Sequence, residues 1–463
     1  MINLLTIGRV LLEDTSKFLK EGGVMPILDV KRLLKAAAYG AVLMAMAVTP
    51  FSAATAKGNK IKIGVVGFLT GPAAGPFGIP ARNAAELLIE AINKGSLPAP
   101  YNTKGVGGMT IESVYVDEAG GTTTQVTEMR NLVQREKVDA IIGYTSSGSC
   151  LAVAPVAEKL KILTVFFDCG TPRIFEENSY HYVFRTAPHA TMDNVAAARY
   201  VLDKMGAVSS YAGINPNYAW GQDSWRDFEL VMEHLNPTAK VKKSLFPKIF
   251  AGEYGAEISA LLISGAKVLH TSLWGGDLES FIFQSVARGL PQRMPIIMTT
   301  GETVMFRLGK ELPNGTILGA RGPHGVLAND TALNRWFQKT FTNRYGTPPT
   351  YPSYHMAQAF LGFKAAADKA AARKGGGRPG TEDIISAFEG LKFDAMGSKV
   401  KMAIGKGHQA ISETAYGVYR YNEKTGSPEI VDIVRYPAEC VNPPEGVTSG
   451  EWLKSGMQGA KCN

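Results

Sequence analysis

The sequence predicts an α/β protein with two lobes, each built on a parallel, doubly wound sheet. Short apolar runs alternate with amphipathic helical stretches, which is the pattern of parallel strands covered by helices. The alternation occurs twice, first from Ile61 to Phe167 and again from Asp193 to Met298. The chain of 463 residues also exceeds the roughly 250 to 300 residues at which single cores stop growing. Two separate cores are therefore expected.

The elements of both series follow from apolar spacing and from turn residues between the runs. The first series has strands at 61–68, 109–116, 138–142 and 162–167, with helices at 81–93, 124–136 and 151–159. The second has helices at 193–205, 222–235, 257–264 and 278–287, with strands at 210–214, 241–246, 267–272 and 295–298. A strand at 316–320, helices at 333–345, 354–372 and 382–391, and a hairpin of 416–421 with 429–435 complete the chain.

Bulk composition is that of a globular protein. Hydrophobic residues make up 45% of the chain and charged residues 19%, which is neither disordered nor typical of an integral membrane protein. The formal net charge is +8, but no block of Lys and Arg with interleaved aromatic residues accompanies it. Nucleic-acid binding is therefore not expected.

Residues 1–56 are predicted to be an N-terminal extension with a secretory signal peptide. Basic residues at 31–35 precede an apolar run at 36–48, and small residues lead to Ala54-Thr55-Ala56. The run is too short for a membrane span of about 20 residues. Translation from Met25 gives a normal signal peptide, so a mis-assigned start is the preferred interpretation. We expect cleavage after Ala56, and a periplasmic protein that is not embedded in the membrane.

The four cysteines of an exported chain suggest disulfides. Three pairings are possible. Cys440 with Cys462 is favoured because it closes the Pro- and Gly-rich tail 438–463, with a gain of roughly 3 kcal/mol. Cys150 with Cys169 is favoured because neighbouring strand ends could bring them together. The alternative is that Cys150 and Cys169 are free, buried thiols.

The segment from Ala140 to Cys150 has the order strand, hydroxyl-rich turn and helix. Backbone N–H groups of such a turn, the helix dipole and the hydroxyls of Ser146 and Ser147 suit a carboxylate or a phosphate. The carboxyl end of a parallel strand is also where open α/β sheets bind ligands. An ordinary serine N-cap is the alternative interpretation.

No catalytic signature is present in the sequence: it lacks a G-x-S-x-G motif, a P-loop and a metal-spaced histidine pair. Neither enzymatic activity nor a cofactor or metal is expected. Instead, aromatic, hydroxyl and acidic residues follow successive strands. These strand-end residues are Thr70, Phe77, Ser146, Ser147, Asp168 to Thr171, Asn217 to Trp220, Trp274 and Glu302. Two facing lobes would bring them into one cleft.

Several short motifs together resemble one known family. They are Gly67-Phe68-Leu69-Thr70-Gly71-Pro72, Ile141-Ile142-Gly143 with Ser146-Ser147, Ala154-Pro155-Val156-Ala157-Glu158, Phe184-Arg185-Thr186 and Asn217 to Gly221. In order and spacing they are similar to the type I periplasmic solute-binding proteins of ABC transporters, in particular the leucine/isoleucine/valine-binding group. The resemblance implies two Rossmann-like lobes joined by a three-segment hinge. It places the first lobe at 57–186 and 319–398, and the second at 187–318 and 399–437.

The resemblance also implies a ligand site. Ser147 is similar to the serine that holds the ligand carboxylate, and Glu302 to the acid that receives its ammonium. The family has a small, Ala- and Ser-rich turn with a threonine at this place, and here the turn is Asp168-Cys169-Gly170-Thr171-Pro172. Asp168 adds a charge, and the threonine hydroxyl is expected at Thr171 instead of its usual position. Glu302 has an alternative role as a carboxylate at a helix N-terminus. The ligand-binding residues expected are Phe77, Ser146, Ser147, Asp168, Gly170, Thr171, Tyr218, Trp220, Trp274 and Glu302.

The expected function is capture of an amino acid or related small carboxylate in the cleft and its delivery to the permease of an ABC importer. A monomer is expected. Three alternatives stay open. The ligand is an aromatic carboxylate, an amide or urea; or the protein is a periplasmic sensor; or it is an exported enzyme built on the same lobes.

Overall fold

The computed structural model describes residues 59–462. The predicted extension, the signal peptide and the cleavage after Ala56 lie outside this range and stay predictions.

Strands in the described range are numbered in chain order. They are β1 (Lys60–Gly67), β2 (Thr110–Asp117), β3 (Ala140–Gly143), β4 (Leu163–Phe166), β5 (Val183–Arg185), β6 (Ser210–Ile214), β7 (Lys240–Leu245), β8 (Leu269–Thr271), β9 (Ile296–Met298), β10 (Ile317–Gly319), β11 (Lys392–Asp394), β12 (Lys399–Ile404), β13 (Gln409–Ile411), β14 (Thr414–Asn422) and β15 (Ser427–Tyr436).

Helices in the same range alternate with these strands. They are α1 (Ile79–Lys94), α2 (Gly121–Gln134), α3 (Ser147–Leu160), α4 (Arg173–Glu176), α5 (Ala190–Met205), α6 (Ala219–Leu235), α7 (Gly255–Leu262), α8 (Gly276–Ala287), α9 (Met305–Leu308), α10 (Ala332–Tyr345), α11 (Tyr351–Arg373), α12 (Thr381–Phe388), α13 (Ala438–Val441) and α14 (Ser449–Lys454). Short helical turns lie at Ala74–Gly78, Gly301–Val304, Gly309–Glu311 and Gly325–Leu327.

The first lobe is built on a sheet with the order β11-β12-β13-β5-β4-β3-β1-β2. Strands β1 to β5 pair in parallel, and β1 shows why helices must cover both faces. Ile63 and Val65 belong to the core formed with α1 and α11, whereas Val66 belongs to the core formed with α2 and α3. A strand with apolar side chains on both faces is stable only between two helical layers.

The second lobe is built on a sheet with the order β15-β14-β10-β9-β8-β6-β7. Strands β6 to β10 pair in parallel, and the hairpin β14–β15 adds antiparallel strands at the β10 edge. Helices α5 and α6 cover one face and α7 and α8 the other. The predicted fold class, with two doubly wound lobes, is confirmed.

The chain crosses between the lobes at three places. The first crossing joins β5 to α5, and the second follows β10. The third comes between β13 and β14, at residues 412–413. The predicted boundary after residue 398 is therefore too early, because β12 and β13 pair within the first sheet. These strands are too short for their apolar periodicity to be recognised in sequence.

Both favoured cysteine pairings are present. Cys150 is bonded to Cys169 and Cys440 to Cys462, with Cα–Cα distances of 6.4 and 4.5 Å. The tail packs on the second lobe, where Trp452 joins the core beside α5 and α6. Within residues 59–462, every helix is too short or too polar to cross a bilayer.

Candidate functional site

A narrow cavity lies where the strand ends of the two lobes face each other. Its lining residues are Phe77, Thr145, Ser147, Asp168, Gly170, Tyr218, Trp220, Trp274, Thr300, Arg321 and Tyr351. The cavity volume is about 10 Å³, which is about the room that one water molecule needs. The lobes are therefore closed on each other, and a larger ligand enters only when they separate.

The first-lobe wall is the start of α3. Ser147 is the first residue of this helix, and its Oγ accepts a hydrogen bond of 3.1 Å from the Thr171 backbone N–H. The first N–H groups of a helix have no partner within it, so this end favours a negatively charged group. An anion placed beside Ser147 therefore meets both a hydroxyl and the positive end of the helix.

Part of the turn before α3 is already occupied by a carboxyl group of the protein. Glu118 accepts hydrogen bonds from the backbone N–H groups of Thr145 and Ser146, at 2.7 and 2.8 Å. Burial raises the Glu118 pKa to about 7 despite these bonds. These two N–H groups are therefore not available to a ligand, contrary to what the hydroxyl-rich turn suggested, because Glu118 follows β2 at the same sheet edge. Thr145 and the first residue of α3, Ser147, line the cavity.

Aromatic rings form much of the remaining wall. The Phe77 ring lies 5.1 Å from Trp274 and 5.4 Å from Tyr351, measured between ring centroids. Trp220 donates its indole N–H to the Ser272 carbonyl at 2.9 Å, which fixes its ring. Trp274 hydrogen-bonds to the Tyr218 side chain. These contacts fix the aromatic rings that line the cavity, and polar side chains such as Ser147, Asp168 and Arg321 lie among them.

Arg321 brings a buried cation to the cavity. Its guanidinium contacts Asp168, donates to Asp193 at 3.0 Å and to the Pro188 carbonyl at 2.8 Å. The Cζ atom lies 4.6 Å from the centroid of the Trp220 ring, within cation–π range. Burial lowers the Arg321 pKa only to about 10, so the side chain remains charged at neutral pH.

Thr171 lies behind the wall and joins the lobes. Its hydroxyl donates to Asp223 of α6 at 2.6 Å. Arg173 of the first lobe also binds Asp223, through Nε at 3.0 Å and Nη2 at 2.8 Å. A charged group on each lobe is thus paired across the closed interface, and opening the lobes would break these bonds.

Glu302 is buried and does not line the cavity. Its Oε2 accepts a hydrogen bond of 2.8 Å from the Tyr351 backbone N–H, whereas its Oε1 is buried without a hydrogen-bond partner among the described residues. Gly325 packs directly against the carboxyl group, since an added Cβ there would lie 1.8 Å from Oε1. Burial raises the Glu302 pKa to about 8, so the group is largely protonated at neutral pH.

A family model described as a periplasmic binding protein matches residues 60–426, most of the chain. The chain belongs to the periplasmic binding protein family. The resemblance seen in the short motifs is thereby confirmed. No cluster of three or more His, Cys, Asp or Glu side chains suited to a metal ion occurs in the part of this family member that the structure describes.

Curated relatives of this periplasmic binding protein are distant in sequence. A leucine-, isoleucine-, valine-, threonine- and alanine-binding protein of Pseudomonas aeruginosa is 24% identical over 251 residues, which is 54% of this chain and 63% of that protein. A Leu/Ile/Val-binding protein homolog of Brucella abortus is 24% identical over 347 residues, which is 72% of this chain and 85% of that protein. The aligned region thus spans less than two thirds of the Pseudomonas relative.

Solved structures show the same fold. A solute-binding protein of an ABC transporter from Rhodopseudomonas palustris, in complex with 3,4-dihydroxybenzoic acid, has a TM-score of 0.70 at 17% identity and covers 82% of this chain and 98% of its own. A leucine-binding protein from Thermotoga maritima has a TM-score of 0.65 at 19% identity, with 81% and 98% covered. At such identities the likeness establishes the fold of this periplasmic binding protein and no more.

The structure brings together most of the site residues that the sequence predicts. Phe77, Ser147, Asp168, Gly170, Tyr218, Trp220 and Trp274 line the cavity, whereas Ser146, Thr171 and Glu302 do not. Thr145, Thr300, Arg321 and Tyr351 were not predicted. Arg321 comes directly after β10, so the rule that ligands bind at strand ends would have found it. Tyr351 begins α11, and no sequence signal connects that helix start to the cleft.

Proposed function

We propose that this periplasmic binding protein captures a small organic carboxylate between its lobes and presents it to the permease of an ABC importer. The observation that carries the proposal is the position of Ser147, whose helix start faces Tyr218, Trp220 and Trp274 of the second lobe across one cavity. A helix N-terminus with a hydroxyl can bind a carboxylate by hydrogen bonds alone, with no reaction of the ligand. Binding in an exported, periplasmic chain is favoured over catalysis because no nucleophile and base are paired at this cavity among its lining residues.

The residues that line this cavity suit two ligand classes once the lobes separate. An amino acid is the first candidate, since the names of the curated relatives describe binding of branched-chain and other amino acids. An aromatic carboxylate is the second, because Phe77, Trp220, Trp274 and Tyr351 offer ring faces and edges for stacking.

A thermal-shift screen of both ligand classes tests the proposal. A ligand at 100 times its Kd stabilises the folded protein by about 2.7 kcal/mol, so a true ligand raises the melting temperature. If neither the amino acids nor the aromatic acids shift the melting temperature of the mature chain, capture of a small carboxylate is refuted.

Ser147→Ala gives the sharper test, with Ser146→Ala as its matched control. Loss of one hydrogen bond to a charged ligand costs about 1.5 to 3 kcal/mol, so calorimetric titration should show roughly ten- to a hundredfold weaker binding for Ser147→Ala. Ser146 does not line the cavity and makes no side-chain cap bond, so its removal should leave the affinity unchanged. Equal effects of the two substitutions would contradict carboxylate binding at Ser147.

Delivery is tested by uptake. Cells that lack this chain should lose uptake of the radiolabelled ligand and regain it with the wild-type protein but not with Ser147→Ala. Unchanged uptake without the chain would show that the captured ligand serves a sensor instead of an importer.

A further inference from the structure

Asp168 lines the cavity with an unused hydrogen-bonding atom. Its side chain is only 1% exposed, and its Oδ1 contacts the Arg321 guanidinium. The other oxygen, Oδ2, is buried and has no hydrogen-bond partner among the described residues. A buried carboxylate oxygen without a donor is destabilising, because the group has lost its bonds to water without replacing them. A ligand that brings an N–H or O–H group would satisfy it.

The nearby His355 does not supply that donor. Burial holds the His355 pKa well below its usual value, so the ring is neutral and has one N–H. Its Nε2 lies 2.9 Å from the Arg321 carbonyl oxygen, which can only accept, so the proton is on Nε2. Nδ1 therefore turns a lone pair toward Asp168 Oδ1, at 3.3 Å. Among residues 59–462, Arg321 is therefore the one side chain that donates to Asp168.

The charge of Arg321 is already balanced within the protein. Its guanidinium contacts the carboxyl groups of both Asp168 and Asp193, and all three side chains are buried. A ligand with a carboxylate alone would bring a second negative charge beside the buried Asp168 carboxylate and would leave Oδ2 without a donor, which is costly. A ligand with both a carboxylate and an ammonium adds no net charge, and each of its charges has a counterpart.

Resting on the proposed function, we infer that the ligand is a zwitterionic amino acid whose carboxylate binds at Ser147 and whose ammonium binds Asp168. Glu302, the acid that family resemblance suggests for this role, does not line the cavity: its Oε2 binds the Tyr351 N–H, and Gly325 packs against its Oε1. Arg321 contacts Asp168 through Oδ1, and the ammonium of the proposed ligand would bind the unpartnered Oδ2. Asp168, in the turn that departs from the family pattern, thus takes the role that the family resemblance gave to Glu302.

The test compares Asp168→Asn with Glu302→Gln, both of which remove a buried acid and keep its shape. The twenty standard L-amino acids are screened against wild type by thermal shift, together with benzoate, 4-hydroxybenzoate and 3-phenylpropanoate. The best amino acid and its analogue without the amine are then titrated by calorimetry, for example L-leucine with 4-methylpentanoate. Asp168→Asn should weaken amino-acid binding roughly a hundredfold or more, because it leaves a buried ammonium unpaired. Glu302→Gln should change it less than about threefold.

The ratio of the two affinities separates a charge effect from a folding defect. A misfolded Asp168→Asn protein would lose both ligands equally, whereas the inference requires loss of the preference for the amine. An unchanged preference in folded Asp168→Asn, or loss of preference in Glu302→Gln, overturns it. If wild type binds only aromatic acids, the amino-acid assignment is wrong while capture of a carboxylate stands. If no ligand of either class binds, the proposed function itself fails.

Discussion

Gly170 and Trp220 offer a direct test of lobe closure, because they lie on opposite lobes and touch. Gly170 follows β4 in the first lobe, and Trp220 lies in the first turn of α6 in the second. A Cβ added at Gly170 would lie 2.2 Å from the Trp220 ring and 3.0 Å from Arg321 Nη2. Ordinary carbon contacts are about 3.5 to 4.0 Å, so Gly170→Ala requires a displacement of more than 1 Å.

Trp220 has little freedom to move away. Its indole N–H is bonded to Ser272, and Arg321 lies over its ring. The simplest relief is separation of the lobes, since two-lobed binding proteins close by hinge motion. Overpacking of this kind costs about 1 to 3 kcal/mol, and the cost arises only in the closed form that holds ligand. Gly170→Ala should therefore weaken ligand binding roughly 5- to 150-fold, with a smaller change in the melting temperature of the ligand-free protein.

Calorimetric titration measures the affinity, and small-angle scattering reports whether ligand still compacts the protein. Gly148→Ala is the matched control, since its added Cβ would have no neighbour nearer than 3.6 Å. It adds the same methyl group near the same cavity and should bind ligand like wild type. Wild-type affinity in Gly170→Ala would refute the closed arrangement of Gly170 against Trp220.

Two further outcomes concern stability. Replacing both Cys440 and Cys462 by Ser removes a cross-link between residues 22 positions apart and should lower the free energy of unfolding, measured in urea titrations, by roughly 3 kcal/mol. Ligand affinity should be unchanged, since neither residue lines the cavity. An equal loss of affinity would show that the tail contributes to the site. The Glu302 pKa of about 8 exceeds its usual value of 4.5, so the native state keeps a proton that the unfolded state loses, and wild-type stability should fall as pH rises from 4.5 to 8. Glu302→Gln has no such proton to lose, so its free energy of unfolding relative to that of wild type should rise across that window by on the order of 5 kcal/mol. If the difference between the two free energies of unfolding in urea were the same at pH 5 and at pH 8.5, the buried, protonated state of Glu302 would be contradicted.

Local sequence patterns were sufficient to predict the fold class, because the spacing of apolar residues differs between the helices and the strands of a doubly wound sheet. β6 was predicted at residues 210–214, where the structure has it, and both cysteine pairs were the favoured ones. The rule that ligands bind at strand ends likewise predicted Ser147, Trp220 and Trp274. These predictions need only the order of elements and the residues at their ends.

Tertiary structure decided everything that depends on which distant groups share a buried space. Glu302 and Asp168 are both acids after parallel strands, and family resemblance favoured Glu302 for the ligand ammonium. Only the packed lobes show that Gly325 and the start of α11 enclose Glu302, while Asp168 meets the cavity beside Arg321. Strands β12 and β13 were missed for a related reason, since their place in the first sheet comes from pairing with β5 and not from a local pattern. Sequence therefore determined the fold and the edge of the sheets where the site lies, whereas long-range burial and pairing determined which side chains face the cavity.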